Sequence, residues 1–253
     1  MEAVRKVLQE GDEYDLPTDG AECLIEVMED PDSMFPEKET VLTLGDASTD
    51  ERLALEQAIM KMRPGEVDEI RIGNKTTTFK LVAFNSGLKV FEMSTTEKWR
   101  LANWHKDNGV TLFKDGRVDW AFRRFSLALK YIISLAHDVP SSEHDDEDMN
   151  INRLRMLVYL NLCACQLKAE SFDFAVVNAT KALEIDSKNA KALFRRGTGL
   201  MHLQEYERSL EDLKLALELE PGNTQILSAL QDLKNRMGSL DAKVAAAMKK
   251  MFQ

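Results

Sequence analysis

Long apolar runs are missing from this chain of 253 residues. None approaches the roughly 18 residues of a membrane-spanning helix, so no membrane partner is expected. The opening MEAVRKVLQEGDE lacks an apolar centre and turns acidic at once, unlike a secretory signal. Cysteine is scarce. Cys23, Cys163 and Cys165 are an odd number, which does not suit a disulfide framework. Cys163 and Cys165 stand two apart on an expected helix and face different sides, which excludes a zinc pair. A reducing cytoplasm, with the nucleus as a second site, is the expected location. His105, His137, His144 and His202 form no ligand spacing, and no serine or cysteine has a recognisable base partner. No catalytic residue, cofactor or metal is expected.

What is present is charge, unevenly spread. Residues 1–97 carry 10 Lys and Arg against 22 Asp and Glu, a net −12. Residues 98–253 carry 23 against 21, and five of those acids lie in one run at 143–148, so the rest of that half is +7. An acidic first half argues against nucleic acid for the whole chain. A basic second half favours acidic peptide partners. The acidic run itself reads either as a solvated insertion or as a screen over a basic surface. Ser141 and Ser142 precede acids and match a common, weak phosphorylation pattern.

The second half is periodic. Ala182 to Ala216, Ala175 to Ser209 and Ser187 to Pro221 are each 34 positions. A 34-residue helix–turn–helix period is the signature of tetratricopeptide repeats, which bind proteins and extended peptides. Gly109, Leu112, Ala121, Phe125 and Ala128 repeat the pattern of Gly197, Leu200, Ser209, Leu213 and Ala216, with a 20-residue extension before the second unit. Helices are predicted over 99–113, 119–135, 151–167, 172–183, 190–203 and 206–217. A closing helical stretch follows over 224–253, with a break expected at Gly238. Ser94 and Glu97 form a capping box that starts this half.

The first half reads differently. Residues 1–20 suggest a short helix or a loosely held arm. Strands are predicted over 22–29, 41–44, 67–72, 77–84 and 88–93, with one helix over 50–61 capped by Asp50. The expected organisation is an N-terminal arm (1–20), an α+β unit (21–93), three repeats (94–223; about 102–135, 151–187 and 190–223) and a C-terminal capping helix (224–253).

The junction Phe91-Glu-Met-Ser-Thr-Thr-Glu-Lys98, the stretches Leu160-Asn-Leu-Cys-Ala-Cys165 and Ala182-Leu-Glu-Ile-Asp186, and Lys191-Ala-Leu-Phe-Arg-Arg-Gly197 resemble the large immunophilins. In that family FK506-binding-protein (FKBP) domains precede three tetratricopeptide repeats. Leu44-Gly45 and Met62-Arg-Pro-Gly-Glu66 are similar to the middle of an FKBP domain. The resemblance implies an α+β FKBP-like domain followed by an all-α repeat superhelix. The features that build the family's prolyl-isomerase pocket have no counterpart here. Glu51 and Arg52 stand near its Val-Ile pair, Leu55 stands where its tryptophan would be, and the last long loop is cut to residues 73–76. The expectation is a degenerate domain without isomerase activity in an adaptor or co-chaperone-like protein. An active FKBP-type isomerase serving Hsp90 is the alternative. The layout most resembles an insect member of the family, which implies a circadian casein kinase, Doubletime, as partner.

The resemblance also implies a groove that clamps a C-terminal carboxylate, such as an Hsp90-type chaperone tail. Lys191 and Arg195 are four apart, hence on one helix face. Asn161 and Lys106 match the family's positions on the two earlier repeats. The fifth position is Val110, which donates nothing, and one lost polar contact costs on the order of 1 kcal/mol. The bland alternative for Lys191 and Arg195 is a solvated face. Arg196 reads as pairing with an acid on the repeat surface, Cys163 as a small residue at a close helix crossing, and Trp99, Trp104 and Trp120 as packing residues. Residues 243–252 resemble the family's calmodulin-binding terminal segment, or else a cap on the last repeat.

Overall fold

The structure, a computed structural model, describes residues 2–11, 15–18, 20–86, 89–140 and 149–251, with side chains to residue 239. The chain divides into two units, Met1–Met93 and Ser94–Gln253.

The first unit is an antiparallel sheet with one helix. Strands β1 (Ala3–Gln9), β2 (Glu22–Glu29) and β3 (Glu39–Thr43) precede helix α1 (Asp50–Ile59), and β4 (Val67–Ile72) and β5 (Lys75–Asn85) follow it. The strand order is β1-β4-β5-β2-β3. Side chains alternate along β2, so Cys23, Ile25 and Val27 all enter the core. There they meet Leu55 and Ile59 of α1, Ile70 and Ile72 of β4, and Phe79 and Leu81 of β5. Gly73, at φ 63°, lets β4 turn directly into β5. Thr49 rather than Asp50 caps α1, its side chain accepting from the Arg52 amide at 3.1 Å. Asp50 is instead the first helical residue, where its charge still favours the helix dipole.

Two expectations are corrected here. The first segment is strand β1, neither helix nor loose arm: Ala3 pairs with Ile72 and Gln9 with Val67. Its anchor is ionic, for Arg5 bonds both Glu66 and Asp68 and the Lys61 carbonyl. Asp68 is fully buried; burial pushes its carboxyl up and Arg5 opposes that rise. The strand expected over 88–93 is a 3-10 turn at Val90–Glu92, closed by the Lys89 amide donating to Glu92 at 2.9 Å. A local side-chain bond there outcompetes a β ladder. Leu88 lies outside the described residues.

The second unit is helical throughout. Three pairs, α2 (Thr95–Lys114) with α3 (Val118–Asp138), α4 (Ile151–Lys168) with α5 (Phe172–Ile185), and α6 (Ala190–His202) with α7 (Tyr206–Leu219), lead into α8 (Thr224–Met251). The capping box is present: the Glu97 amide donates to Ser94 Oγ at 3.3 Å and the Ser94 amide to the Glu97 carboxylate at 3.0 Å. All three first helices end in the same corner. Gly116, Glu170 and Gln204 have φ of 78°, 55° and 64°, and the residue after each donates back into its helix, to Leu112, Gln166 and Leu200. Contrary to the expected break, the backbone of α8 runs through Gly238 without interruption. A Cβ at that glycine would meet nothing, so the residue weakens the helix without bending it.

Small residues sit at the crossings within pairs. A Cβ on Gly109 would lie 2.6 Å from the Phe125 ring, and one on Gly197 2.8 Å from Leu213. The second repeat has Cys163 at the matching place, buried with Ala175 and Ala179. Its thiol is pushed up to about 11 by burial, which suits packing rather than reactivity. Trp99 and Trp120 pack on the first-repeat core, and Trp104 lies edge-on to His105.

Candidate functional site

The family's carboxylate clamp draws on the first helix of each repeat, here α2, α4 and α6. Asn189 caps α6, accepting from the Ala192 amide at 3.0 Å, and so places Lys191 in the first turn. One cleft of about 440 Å³ collects Leu157, Leu160 and Asn161 from α4, residues 188–191 at the start of α6, and Leu219 and Glu220 at the end of α7. The structure therefore brings Asn161 and Lys191 together. Arg195, one turn further along, donates its guanidinium to the Leu160 carbonyl next to Asn161. That bond orients the arginine beside the cleft.

Two cations lie close together here. Among the described residues, neither Lys191 nor Arg195 has a carboxylate within ion-pair distance. Arg195, and then burial, hold the Lys191 ammonium below the usual lysine value. Burial holds Arg195 below the usual arginine value. An anion between them relieves the repulsion, and the positive end of α6 adds to the attraction. Two carboxylates share the cleft but serve their own loops. Asp186 accepts from the Lys188 amide at 3.2 Å and Asn189 at 3.1 Å, and Glu220 from Asn223 at 2.7 Å.

Lys106 does not line this cleft. Its ammonium lies 2.9 Å from the carboxylate of its neighbour Asp107. Val110 packs against the first-repeat core. Asn161 and Lys191 line the cleft, and Arg195 bonds the residue next to Asn161. Arg196 makes two 2.7 Å bonds to Asp212 and takes no part. Sequence reasoning missed Leu157, Leu160 and Lys188. Lys188 was legible as a cation next to a cap, whereas the role of the Leu160 carbonyl needs the α4–α6 crossing. The acidic run at 143–148, with Ser141, Ser142 and His144, lies outside the described residues. So do the side chains of 243–252.

In the sheet unit, the residues compared above with the family's isomerase pocket are Leu55, Glu51 and Arg52. Leu55 is 3% exposed and belongs to the core. Glu51 pairs with Lys75 at 2.8 Å. Arg52 pairs at 3.1 Å with Glu56, whose other oxygen accepts from the Gly45 amide at 2.9 Å. Phe35 and Phe79 meet edge to face at 5.3 Å inside the same core.

A short helix on an antiparallel sheet, then three helix pairs and a closing helix, define an FKBP-like domain followed by a repeat array. The tetratricopeptide repeat family matches residues 190–223. Mouse peptidyl-prolyl cis-trans isomerase FKBP4 is 28% identical over 243 residues, 87% of this chain and 52% of that protein. Mouse FK506-binding protein-like is 28% identical over 256 residues, 98% of this chain and 70% of that protein. The C-terminal repeat domain of a Plasmodium falciparum FK506-binding protein superposes with a TM-score of 0.56 at 25% identity, covering 61% of this chain and 99% of that domain. The chain is similar to FKBP-type immunophilins that carry a tetratricopeptide-repeat domain. It spans about half the length of the isomerase relatives it matches.

Proposed function

We propose that this chain is a non-catalytic adaptor whose repeat groove clamps an acidic peptide ending in a free carboxylate, of the kind carried by Hsp90-type chaperones. The carrying observation is the convergence of Asn161, Lys191 and Arg195, with two mutually repelling cations and an amide at one cleft. A terminal carboxylate and an adjacent aspartate supply the two negative groups that such a trio binds. Lys106, held by Asp107, contributes only if that surface pair opens, which costs little.

The FKBP-like domain is proposed to be inactive. An X–Pro bond is twisted in a desolvated pocket that grips the prolyl ring, and here Leu55 lies in the core while Glu51 and Arg52 are spent in ion pairs. A proline-peptide isomerisation assay tests this, and measurable turnover selects the active-isomerase reading. The kinase partnership implied by the insect relative belongs to the same proposal, as does a reducing cytoplasmic or nuclear location that keeps three buried thiols free. Pull-downs with Lys191→Ala and Arg195→Ala separate the partners. Each change is expected to weaken a chaperone-tail peptide by roughly tenfold or more, since a charge-assisted bond is worth about 1.5–3 kcal/mol. A kinase docking elsewhere survives both. Unchanged tail binding in both variants refutes the clamp.

A further inference from the structure

The sheet of the first unit has an outward face with an apolar row at one edge. On β2, Glu22, Leu24, Glu26 and Met28 alternate with the core residues and point away from α1. β3 ends the sheet and sets Val41 opposite Leu24 and Glu39 opposite Glu26. On the other flank of β2, Leu24 pairs with Ala83, and the register slips there around Val82. Val41, Leu24 and Val82 are 62%, 36% and 38% exposed. Met28, further along the same face, is 57% exposed.

Two features make this edge unusual. Exposed edge strands are commonly blunted by lysine, proline or a bulge. The outward residues of β3 are Glu39, Val41 and Thr43, two β-formers beside one charge, and among the described residues no strand pairs with the outer side of β3. The facing pair Glu26 and Glu39 is also of like charge, which destabilises a two-strand ladder. Lys80 stands across Glu26 on β5, but among the described residues neither glutamate has a cation within ion-pair distance. Glu22, Glu26 and Glu39 flank the exposed apolar row, with Lys80 across from Glu26.

The geometry points to the β3 edge as a docking site for an extended, basic strand of another protein. Its backbone extends the sheet beyond β3, one apolar side chain covers Val41 and Leu24, and a lysine or arginine two residues away meets Glu39 and Glu26. Charge selects this occupant. Residues 1–97 carry a net −12, so a second copy of the unit is repelled while a cationic strand is attracted over a Debye length. This surface belongs to the first unit and the repeat groove to the second.

The test is a titration of the full chain with a capped, labelled peptide of alternating lysine and valine, followed by fluorescence anisotropy. A peptide of equal composition with its lysines and valines in separate blocks is the comparison. The alternating peptide is expected to bind more tightly and to weaken as salt rises. Glu39→Gln and Val41→Ser are each expected to weaken it by roughly 1.5- to fivefold, the range of cross-strand pair energies. Glu39→Gln should also raise the thermal midpoint, because it removes the like-charge pair, so lost binding cannot be ascribed to unfolding. Lys191→Ala should leave this affinity unchanged. Equal binding of the two peptides, no binding, or affinities unaffected by both edge substitutions overturns the proposal. Self-association of the chain that the peptide fails to disrupt overturns it in favour of a second copy.

Discussion

The helix crossings of the three repeats predict a transplantable pair. In the third repeat a Cβ on Gly197 would stand 2.8 Å from Leu213 Cγ and 3.3 Å from Asp212 Cβ, and Leu213 is fully buried. The second repeat places Cys163 and Ala179 at the same two positions, both buried. Where the first helix carries the larger cysteine in place of glycine, the second carries alanine in place of leucine. Gly197→Cys alone forces a sulfur into Leu213, and overpacking of this kind costs about 1–3 kcal/mol. Leu213→Ala alone opens a hole beside Ala216 and costs about 2–5 kcal/mol. Together they recreate the second-repeat crossing, with the new side chain filling the hole. The double variant should lose less than Leu213→Ala does alone, leaving a coupling of about 2 kcal/mol or more. Urea unfolding of all four proteins, followed by far-ultraviolet circular dichroism, measures it. If the two losses add to within about 0.5 kcal/mol, the two positions do not compensate one another and the reasoning is wrong.

Three further outcomes are expected. Burial, aided by Arg124 and Lys130, pushes His105 down from 6.5 to about 4. The unfolded chain therefore binds more protons across that window, and stability should fall by up to about 3 kcal/mol as pH drops from 6.5 towards 4. His105→Gln should flatten that part of the urea-midpoint profile. Gln204 adopts the left-handed φ of 64° that Gly116 adopts in the first repeat, so Gln204→Gly should raise stability by about 1 kcal/mol in thermal unfolding. Arg5→Ala leaves the buried Asp68 and the nearly buried Glu66 without their cation. It should cost the sheet unit about 3 kcal/mol, with faster hydrogen exchange along β1 as the readout, and unchanged protection there contradicts the ionic anchor.

The helical half was legible because its information is local. Small residues recur at 34-residue intervals, and Ser94 with Glu97 announces the first helix from four adjacent positions. Lys191 and Arg195 could be placed on one face from spacing alone. The orientation of Arg195 could not, since its acceptor is the backbone of Leu160, 35 residues away. Nor could the pairing of Lys106 with Asp107. In the sheet half, β1 was hidden because Val4, Val7 and Leu8 do not alternate and are exposed in the fold. The residue that fixes the strand is Arg5, whose charge suggests a surface position until Glu66 and Asp68 are seen beneath it.

The pairing of β1 with β4 orders events during synthesis. Ala3 waits for Ile72, and β2 waits for β5, so the sheet cannot close until residue 85 has left the ribosome. Each repeat, in contrast, closes its own helix pair within one helix–turn–helix of chain and then packs on the neighbouring repeat. The sheet unit is the high-contact-order half and forms slowly, while the array grows repeat by repeat. A nascent chain therefore spends its longest vulnerable interval with Val4, Val7 and Leu8 on an unpaired strand, and premature termination before β4 leaves that strand free to aggregate.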